Sequence, residues 1–333
     1  MKTIFAYFTM SFLIFSGSNA FSQGYVFRVL ANKGQNQVKR AAGTTEGLKT
    51  GATLKTGDQL IASSDAYIGL VHNSGKTLEV RQAGVLKVND LEKKVAAKKT
   101  SVTSRYAQYV MNKINDDGVS NNYRRNNNVT GAAKRATGEG VPITIDFVLP
   151  IKENKIVAYD DDIVLRWVPS QAEDEEEVTF DGRKFKVVIQ DIFDVEIFKA
   201  ESEKPSVALN LADIKNESTL YLVRITTIEE NGADSLNSIE YAIEKFDWEE
   251  YADDEETKKL LEEIEAVKAE VDTESSMGRL VLASFYEEKG MLLSAMREFE
   301  KLVSENPDIL SFQDLYGEFL AKNGMVVGEK KGD

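Results

Sequence analysis

The sequence predicts a multidomain chain that is mainly β and closes on α-helices. Three observations carry that expectation. Its 333 residues exceed one small domain and fit two or three. Short apolar runs with a spacing of two, punctuated by glycine and Asn/Asp turns, fill residues 24–91 and 141–246. After Asp254 the apolar spacing changes to the helical period and holds to about residue 325. A hydrophobic share of 42% is enough to build real cores, so global disorder is not expected.

The first residues, MKTIFAYFTMSFLIFSGSNAFSQ, have the layout of a secretory signal peptide covering 1–22. Lys2 supplies the positive end, and Ile4 to Phe15 the apolar stretch. Ala20 and Ser22 take the small-residue places before a cut at Gln23. The apolar stretch is shorter than the roughly 20 residues that span a bilayer, so cleavage is expected rather than anchoring. With no cysteine in the chain, a lipid anchor on cysteine is excluded. A soluble periplasmic product with no transmembrane anchor is expected, with full secretion as the lesser option.

Composition narrows the chemistry. Cys is 0 and His is 1, which removes disulfides, thiolate nucleophiles, iron–sulfur ligation and Cys/His zinc sites. Carboxylate sites for hard cations stay open. The net charge of −14 disfavours nucleic acid as a partner, because phosphate binding needs a concentrated positive surface.

Residues 24–91 begin with YVFRVLA and QNQVKR and continue through LIA, YIGLVH, TLEVR and VLKV. Gly51, Gly57–Asp58, Asn73–Ser74–Gly75 and Ala83–Gly84 break these runs, since glycine admits the backbone angles of tight turns. Ile68, Leu70, Leu78 and Val80 can face one core across the Asn-Ser-Gly turn. The positions Gly57, Asp58, Leu60, Ala66, Ile68, Leu70, Ser74, Gly75, Leu78, Val80, Gly84, Leu86 and Val88 resemble the FecR-type periplasmic β domain. The resemblance implies that fold and an extracytoplasmic setting. The signalling role of membrane-bound members is not expected to carry over, since neither their anchor nor their cytoplasmic arm is expected here. His72, at the strand end on the face of Leu70, reads as a packed histidine. Asp65 and Glu79 could orient its imidazole for a catalytic role, but no serine nucleophile motif accompanies them.

Residues 92–140 form a basic connector. Lys93, Lys94, Lys98 and Lys99 lead into SVTSRYAQYVMNKIND, where Val102, Tyr106, Tyr109 or Val110, and Ile114 lie near one helical stripe. The polar segment SNNYRRNNNVTGAAKRATGEG then reads as loop. The positive charge can be a solvated linker, a dock for an acidic surface, or a contact for an anionic polymer or lipid headgroup. Lys98, Lys99, Arg105, Arg124 and Arg125 are the candidate partner contacts here. Tyr106, Tyr109 and Tyr123, interleaved with basic residues, weakly resemble a stacking surface.

Residues 141–246 hold a series of β runs: VPITIDFVLP, KIVAY, DIVLRWV, KFKVVIQD, VEIFKAES, SVALNL, TLYLVRITTI and SIEYAIEKF. Many short strands at regular intervals predict a sandwich, with Trp167 in its core and Arg166 pointing outward. Leu165, Trp167, Phe185, Val187, Ile189, Val207, Leu209, Leu211, Tyr221, Val223 and Ile225 resemble immunoglobulin-like and fibronectin type III modules. Such modules serve as binding surfaces or spacers, and the fold implies no reaction. The acidic run Glu173–Glu177 reads as a solvated loop, with a calcium-dependent site or docking against the basic connector as alternatives, and Asp160–Asp162 as a turn or part of a weak cation site.

Residues 250–325 are predicted helical. EETKKLLEEIEAVKAEV has Leu261, Ile264 and Val267 as its apolar stripe. SMGRLVLASFYEEKG and LLSAMREFEKLVSEN pair around Gly290, Asn306–Pro307 closes them, and ILSFQDLYGEFLAKNG adds one more helix. Counted back from Pro307, the residues Leu282, Ala283, Tyr286, Ala295 and Phe299 fall where a tetratricopeptide repeat places its small and large residues. Arg279 takes the place of the usual tryptophan. The resemblance covers one unit of roughly 34 residues, which needs neighbouring helices to bury its apolar face. Arg279 and Arg297 join the candidate partner contacts.

The three regions together resemble exported proteins of the Bacteroidetes group. The expected function is a non-catalytic periplasmic scaffold or adaptor that contacts another envelope protein and needs no cofactor. A glycan-binding or structural module of the cell envelope is the alternative, which an exposed aromatic patch would favour. A hydrolase would need two carboxylates, or His72 and a carboxylate, facing one cleft.

Overall fold

The computed structural model describes residues 24–95, 105–106, 110, 144–149, 155–170, 182–214, 219–228, 236–238 and 240–325. The predicted signal peptide, most of the basic connector with Lys98, Lys99, Tyr109, Tyr123, Arg124 and Arg125, and the acidic run Glu173–Glu177 lie outside the described residues.

The first module runs β1 (Phe27–Lys33), β2 (Gln37–Lys39), β3 (Thr45–Gly47), β4 (Thr53–Leu54), β5 (Gln59–Ala62), β6 (Tyr67–His72), β7 (Thr77–Val80), β8 (Gly84–Lys87) and α1 (Val88–Val95). Its strands form two antiparallel sheets, in the orders β4-β1-β6-β7 and β3-β2-β5-β8. Phe27, Val29, Val38, Leu54, Leu60, Ile68, Leu70 and Val80 fill the space between them, and Val88 and Leu91 of α1 join that core. The Gly57–Asp58 motif has a structural job. Gly57 adopts φ +90. Asp58, only 4% exposed, accepts hydrogen bonds from the Lys55 and Ala41 amides and from Arg40 Nη1 at 2.9 Å. Desolvation works to raise the Asp58 pKa. The two amides and the Arg40 guanidinium outweigh it and hold the carboxyl below its ordinary value.

The second module contains β9 (Thr144–Phe147), β10 (Lys155–Ala158), β11 (Asp162–Ser170), β12 (Lys184–Gln190), β13 (Glu196–Ser202), β14 (Ser206–Asn210), β15 (Leu220–Ile228) and β16 (Tyr241–Lys245). A sheet ordered β10-β16-β15-β12-β13 faces one ordered β14-β11-β9. Strands β10 and β16 pair in parallel. Alternation places Phe185, Val187 and Ile189 of β12 and Tyr221, Val223 and Ile225 of β15 inside. Trp167 is fully buried, with its ring edge-on to Phe185 at 5.1 Å. Arg166 points outward, as expected, and its Nε donates to Glu300 at 2.7 Å.

The chain then turns helical, through α2 (Glu255–Glu270), α3 (Ser276–Glu288), α4 (Leu292–Glu305) and α5 (Leu310–Lys322). Asp254 caps α2 by accepting from the Thr257 amide at 2.8 Å, and Ser275 caps α3 by accepting from the Gly278 amide at 3.0 Å. Gly290, at φ +73, turns the chain between α3 and α4. The stripe of α2 differs from the expected one. Ile264 and Val267 are buried, but Leu261 is 46% exposed, and Leu260 and Val271 complete the packed face. Spacings of four, three and four residues keep 260, 264, 267 and 271 on one side of the helix, and Leu261 falls off it.

The helical end touches both β modules. α3 packs on β7, α5 on β1, and α4 on β10 and β11. One continuous apolar core therefore joins Leu30, Ala31, Tyr67 and Val71 of the first module to the sandwich and the helices. Strand β6 is buried along its whole length for this reason. Ile68 and Leu70 face their own module, while Tyr67 and Val71 face the helices. Gly69 lies between these last two, and a Cβ there would come within 2.4 Å of Met277 Sδ. Glu79 fastens the joint by accepting from the Met277 amide at 2.9 Å and from the Tyr67 hydroxyl at 3.1 Å. The Tyr67 ring also meets Phe312 edge-on at 6.0 Å.

Candidate functional site

A concave surface with exposed lysines lies on the helical end. A cleft of about 410 Å³ opens between the last turn of α2, the α2–α3 loop, α3 and α4. Helical spacing assembles it. Arg279, Leu282 and Tyr286 stand three and four residues apart on α3, and Arg297 and Lys301 stand four apart on α4. Lys268 closes one side.

The four cations are held differently. Arg279 is buried, with Nη2 at 3.1 Å from Glu274 and 3.4 Å from Glu305, and Nη1 at 3.7 Å from Glu298. Arg297 reaches Asp160 at 3.2 Å and Glu298 at 3.1 Å, and it donates to the Asp162 carbonyl at 3.0 Å. Burial works to lower the Arg297 pKa, but Asp160 and Glu298 more than offset it and the guanidinium is held above its ordinary value. Burial raises the Tyr286 pKa at the cleft floor, and Asp160 adds to that rise, so the phenol stays protonated. Lys268 and Lys301 are exposed and have no ion pair among the described residues. The arginines thus organise the cleft, and the two lysines present free charge at its rim. Sequence reasoning singled out Arg279 and Arg297, which are engaged within the chain. It missed Lys268 and Lys301, whose only signal was their helical spacing from apolar neighbours.

Arg105 sits at the helical end too. It pairs with Glu288 at 2.6 Å and lies over the Tyr106 ring. Tyr106 is buried edge-on to Phe285 at 5.0 Å. Burial, with Glu288 next, pushes its phenol up to about 12. Lys98, Lys99, Arg124 and Arg125 are outside the described residues and cannot be placed beside it.

His72 is packed, as its strand position implied. Its ring is edge-on to Phe27 at 5.2 Å. The Ser74 amide donates to Nδ1 at 3.1 Å, and the Ser74 hydroxyl lies 2.7 Å from the same atom. Nδ1 is therefore an acceptor, and the neutral ring carries its proton on the buried Nε2. Asp65 and Glu79 bond elsewhere, to Ser63 and to Tyr67, Arg81 and Met277. Desolvation lowers the His72 pKa below its ordinary 6.5. The unfolded chain then binds the extra proton first. Stability from this group is complete above pH 6.5 and is lost as pH falls through the folded value. Urea unfolding between pH 5 and pH 7.5 should thus show a stability gain with pH that His72→Gln removes, while the carboxylate contribution stays in both proteins.

Two other surfaces were compared with this cleft. A second cleft, of about 350 Å³, lies at the joint between the first module and the helices. Its charges are used across the joint, with Lys33 on Asp308 at 2.7 Å and Arg81 stacked on Tyr67 at 4.7 Å. An aromatic group of Tyr159, Phe246, Trp248 and Tyr251 borders the end of the sandwich. Its rings cover one another, with Phe246 at 4.9 Å from Tyr159 and 5.4 Å from Tyr251, and Trp248 Nε1 donates to the Tyr159 carbonyl. Of the four, only Tyr251 is exposed, so they cap the sandwich rather than spread as an open stacking platform.

No protein-family model matches the chain, and no curated protein matches it. Among the described residues, no helix is long and apolar enough to cross a membrane.

Proposed function

We propose that the chain is a non-catalytic periplasmic scaffold whose helical cleft holds an extended acidic segment of another envelope protein. The observation that carries this reading is the pair of exposed, unpaired lysines, Lys268 and Lys301, at the rim of a cleft whose arginines are already fixed. Lysine ammonium groups on a partly apolar floor of Leu282 and Tyr286 suit carboxylate side chains carried on a peptide. The rest of the chain is acidic, so affinity for an acidic peptide would have to arise locally.

Three likenesses of fold support the setting. The paired four-stranded sheets of the first module resemble a FecR-type domain. The five- and three-stranded sheets of the second, with β10 parallel to β16, resemble an immunoglobulin or fibronectin type III sandwich. The α3–α4 hairpin resembles a tetratricopeptide unit, with α2 and α5 as its neighbours.

The test uses a glutamate-rich peptide against lysine-rich and neutral peptides of equal length. Calorimetry should detect the glutamate-rich peptide alone, with an affinity that falls as salt rises. Lys268→Glu combined with Lys301→Glu should weaken it at least tenfold and leave the melting temperature unchanged, because both side chains are exposed. Equal binding by parent and variant would sink the reading. Deleting the helical end is a poorer test, since it would strip the cover from Tyr67, Val71 and the sandwich.

A further inference from the structure

Strand β13 forms one edge of the five-stranded sheet, and among the described residues no strand lies beyond it. It is seven residues long, with a bulge at Ile197 near its start, and its regular stretch from Phe198 to Ser202 leaves an open row of backbone donors and acceptors of the kind proteins normally block. The hairpin that leads into it is apolar and exposed, with Phe193 at 78%, Val195 at 55% and Ile192 at 54%. Side-chain hydrogen bonds pin that hairpin. Asp191 Oδ1 accepts from the Phe193 amide at 2.8 Å and the Val195 amide at 3.0 Å, and Gln190 Nε2 donates to the Asp194 carbonyl at 3.1 Å. A fixed apolar tip beside an unpaired strand edge calls for a partner that supplies both a strand and an apolar surface.

We propose that a second copy of this chain occupies the edge, joining β13 to β13 in an antiparallel, twofold-symmetric dimer. A twofold axis perpendicular to the sheet keeps inner faces together, so one residue of β13 must face its own copy. The pairing of β13 with β12 sets the faces. Phe198, Ala200 and Ser202 lie opposite the buried Ile189, Val187 and Phe185, and Lys199 and Glu201 lie on the outer side. Charge then selects the register. Centring on Lys199 would set like charges against each other, as would centring on Glu201. Centring on Phe198 leaves Lys199 beside Ile197 of the second copy. Centring on Ala200 pairs the regular stretch from Phe198 to Ser202 with its copy and sets Lys199 opposite Glu201 of the second copy, twice by symmetry. The small Ala200 lies on the axis. Lys199 and Glu201 have no ion pair among the described residues, so they are free for this contact. A lysine in an edge strand usually repels edge pairing, but Glu201 two residues on turns Lys199 into a matching charge. This proposal does not depend on the peptide cleft, which is built from the helices.

Sedimentation velocity of the chain from Gln23 onward, over a range of concentrations, tests the interface. A reversible monomer–dimer equilibrium is expected. Lys199→Glu should raise the dissociation constant at least tenfold, Glu201→Lys should do the same, and the two together should restore association. Phe193→Ser should weaken it by a smaller factor. Thermal melts of these variants should match the parent, since every altered side chain is exposed. A chain that stays monomeric throughout overturns the proposal, and so does a dimer unmoved by either single reversal or not rescued by the swap. A monomeric chain that binds phosphatidylcholine vesicles through Phe193 overturns it in favour of a lipid surface.

Discussion

Gly278→Ala should destabilise the protein by about 3 kcal/mol, the upper part of the usual range for overpacking a filled site. Helix propensity alone gives the opposite sign, because alanine is favoured over glycine inside a helix by about 1 kcal/mol. Sterics decide the outcome. A Cβ on Gly278 would lie 1.9 Å from the Asp272 carbonyl oxygen and 2.7 Å from its carbon, both backbone atoms that no rotamer change can move. That oxygen already accepts from the Ser275 amide at 3.0 Å and the Ser275 hydroxyl at 2.8 Å. Displacing it breaks the cap of α3, and with it the position of the Met277 amide that bonds Glu79. The loss should appear in a thermal melt as a lowered midpoint. Faster hydrogen exchange at Met277 and Gly278 should accompany it. An unchanged midpoint would show that the α2–α3 loop gives way freely. Gly69→Ala should cost less, because its nearest neighbour is the flexible end of Met277.

The order of strands and helices was legible because each element carries its own period. Alternation in β12 and β15 matches the buried side found in three dimensions, whereas α3 is buried on every side from Ser276 to Glu287 because it packs between its neighbours. The junctions were harder to read, since contacts between modules leave no local period. One signal was present. The YIGLVH run is apolar at both parities and has a glycine at its centre, the mark of a strand covered on two faces. Reading only Ile68 and Leu70 as inward-facing accounted for one cover and left the helical one unforeseen. The cleft was legible in part. Arg279 and Arg297 stood out as charges within an apolar repeat, but their carboxylate partners come from Glu274, Glu298, Glu305 and the distant Asp160. Sequence spacing cannot bring Asp160 to α4, and only the packing of α4 on β10 and β11 does so. The edge position of β13 was equally hidden, because strand order in a sandwich follows from tertiary pairing.

Arg297→Ala should cost about 3 kcal/mol, the loss expected when one partner of a mostly buried ion pair is removed. The side chain is 13% exposed and holds two carboxylates from different modules, Asp160 of the sandwich and Glu298 of α4. With the guanidinium gone, Glu298 keeps only Arg279 at 3.7 Å among the described residues, and the Asp162 carbonyl loses the Arg297 donor. Ser294 would still donate to Asp160 at 2.6 Å, but a neutral hydroxyl does not balance the charge. Arg297→Lys should recover only part of the loss, since one ammonium cannot reproduce the planar fork that spans Asp160, Glu298 and the carbonyl. The joint between sandwich and helices is the structure at risk, so unfolding should broaden or split where the parent unfolds as one unit. This result separates the two kinds of cation in the cleft. A destabilised Arg297→Ala beside an equally stable Lys301→Glu would mean that the arginine builds the cleft and the lysine faces whatever enters it. Equal stability in both would place Arg297 among the contact residues and move the joint elsewhere, to the pair of Arg166 on β11 with Glu300 on α4.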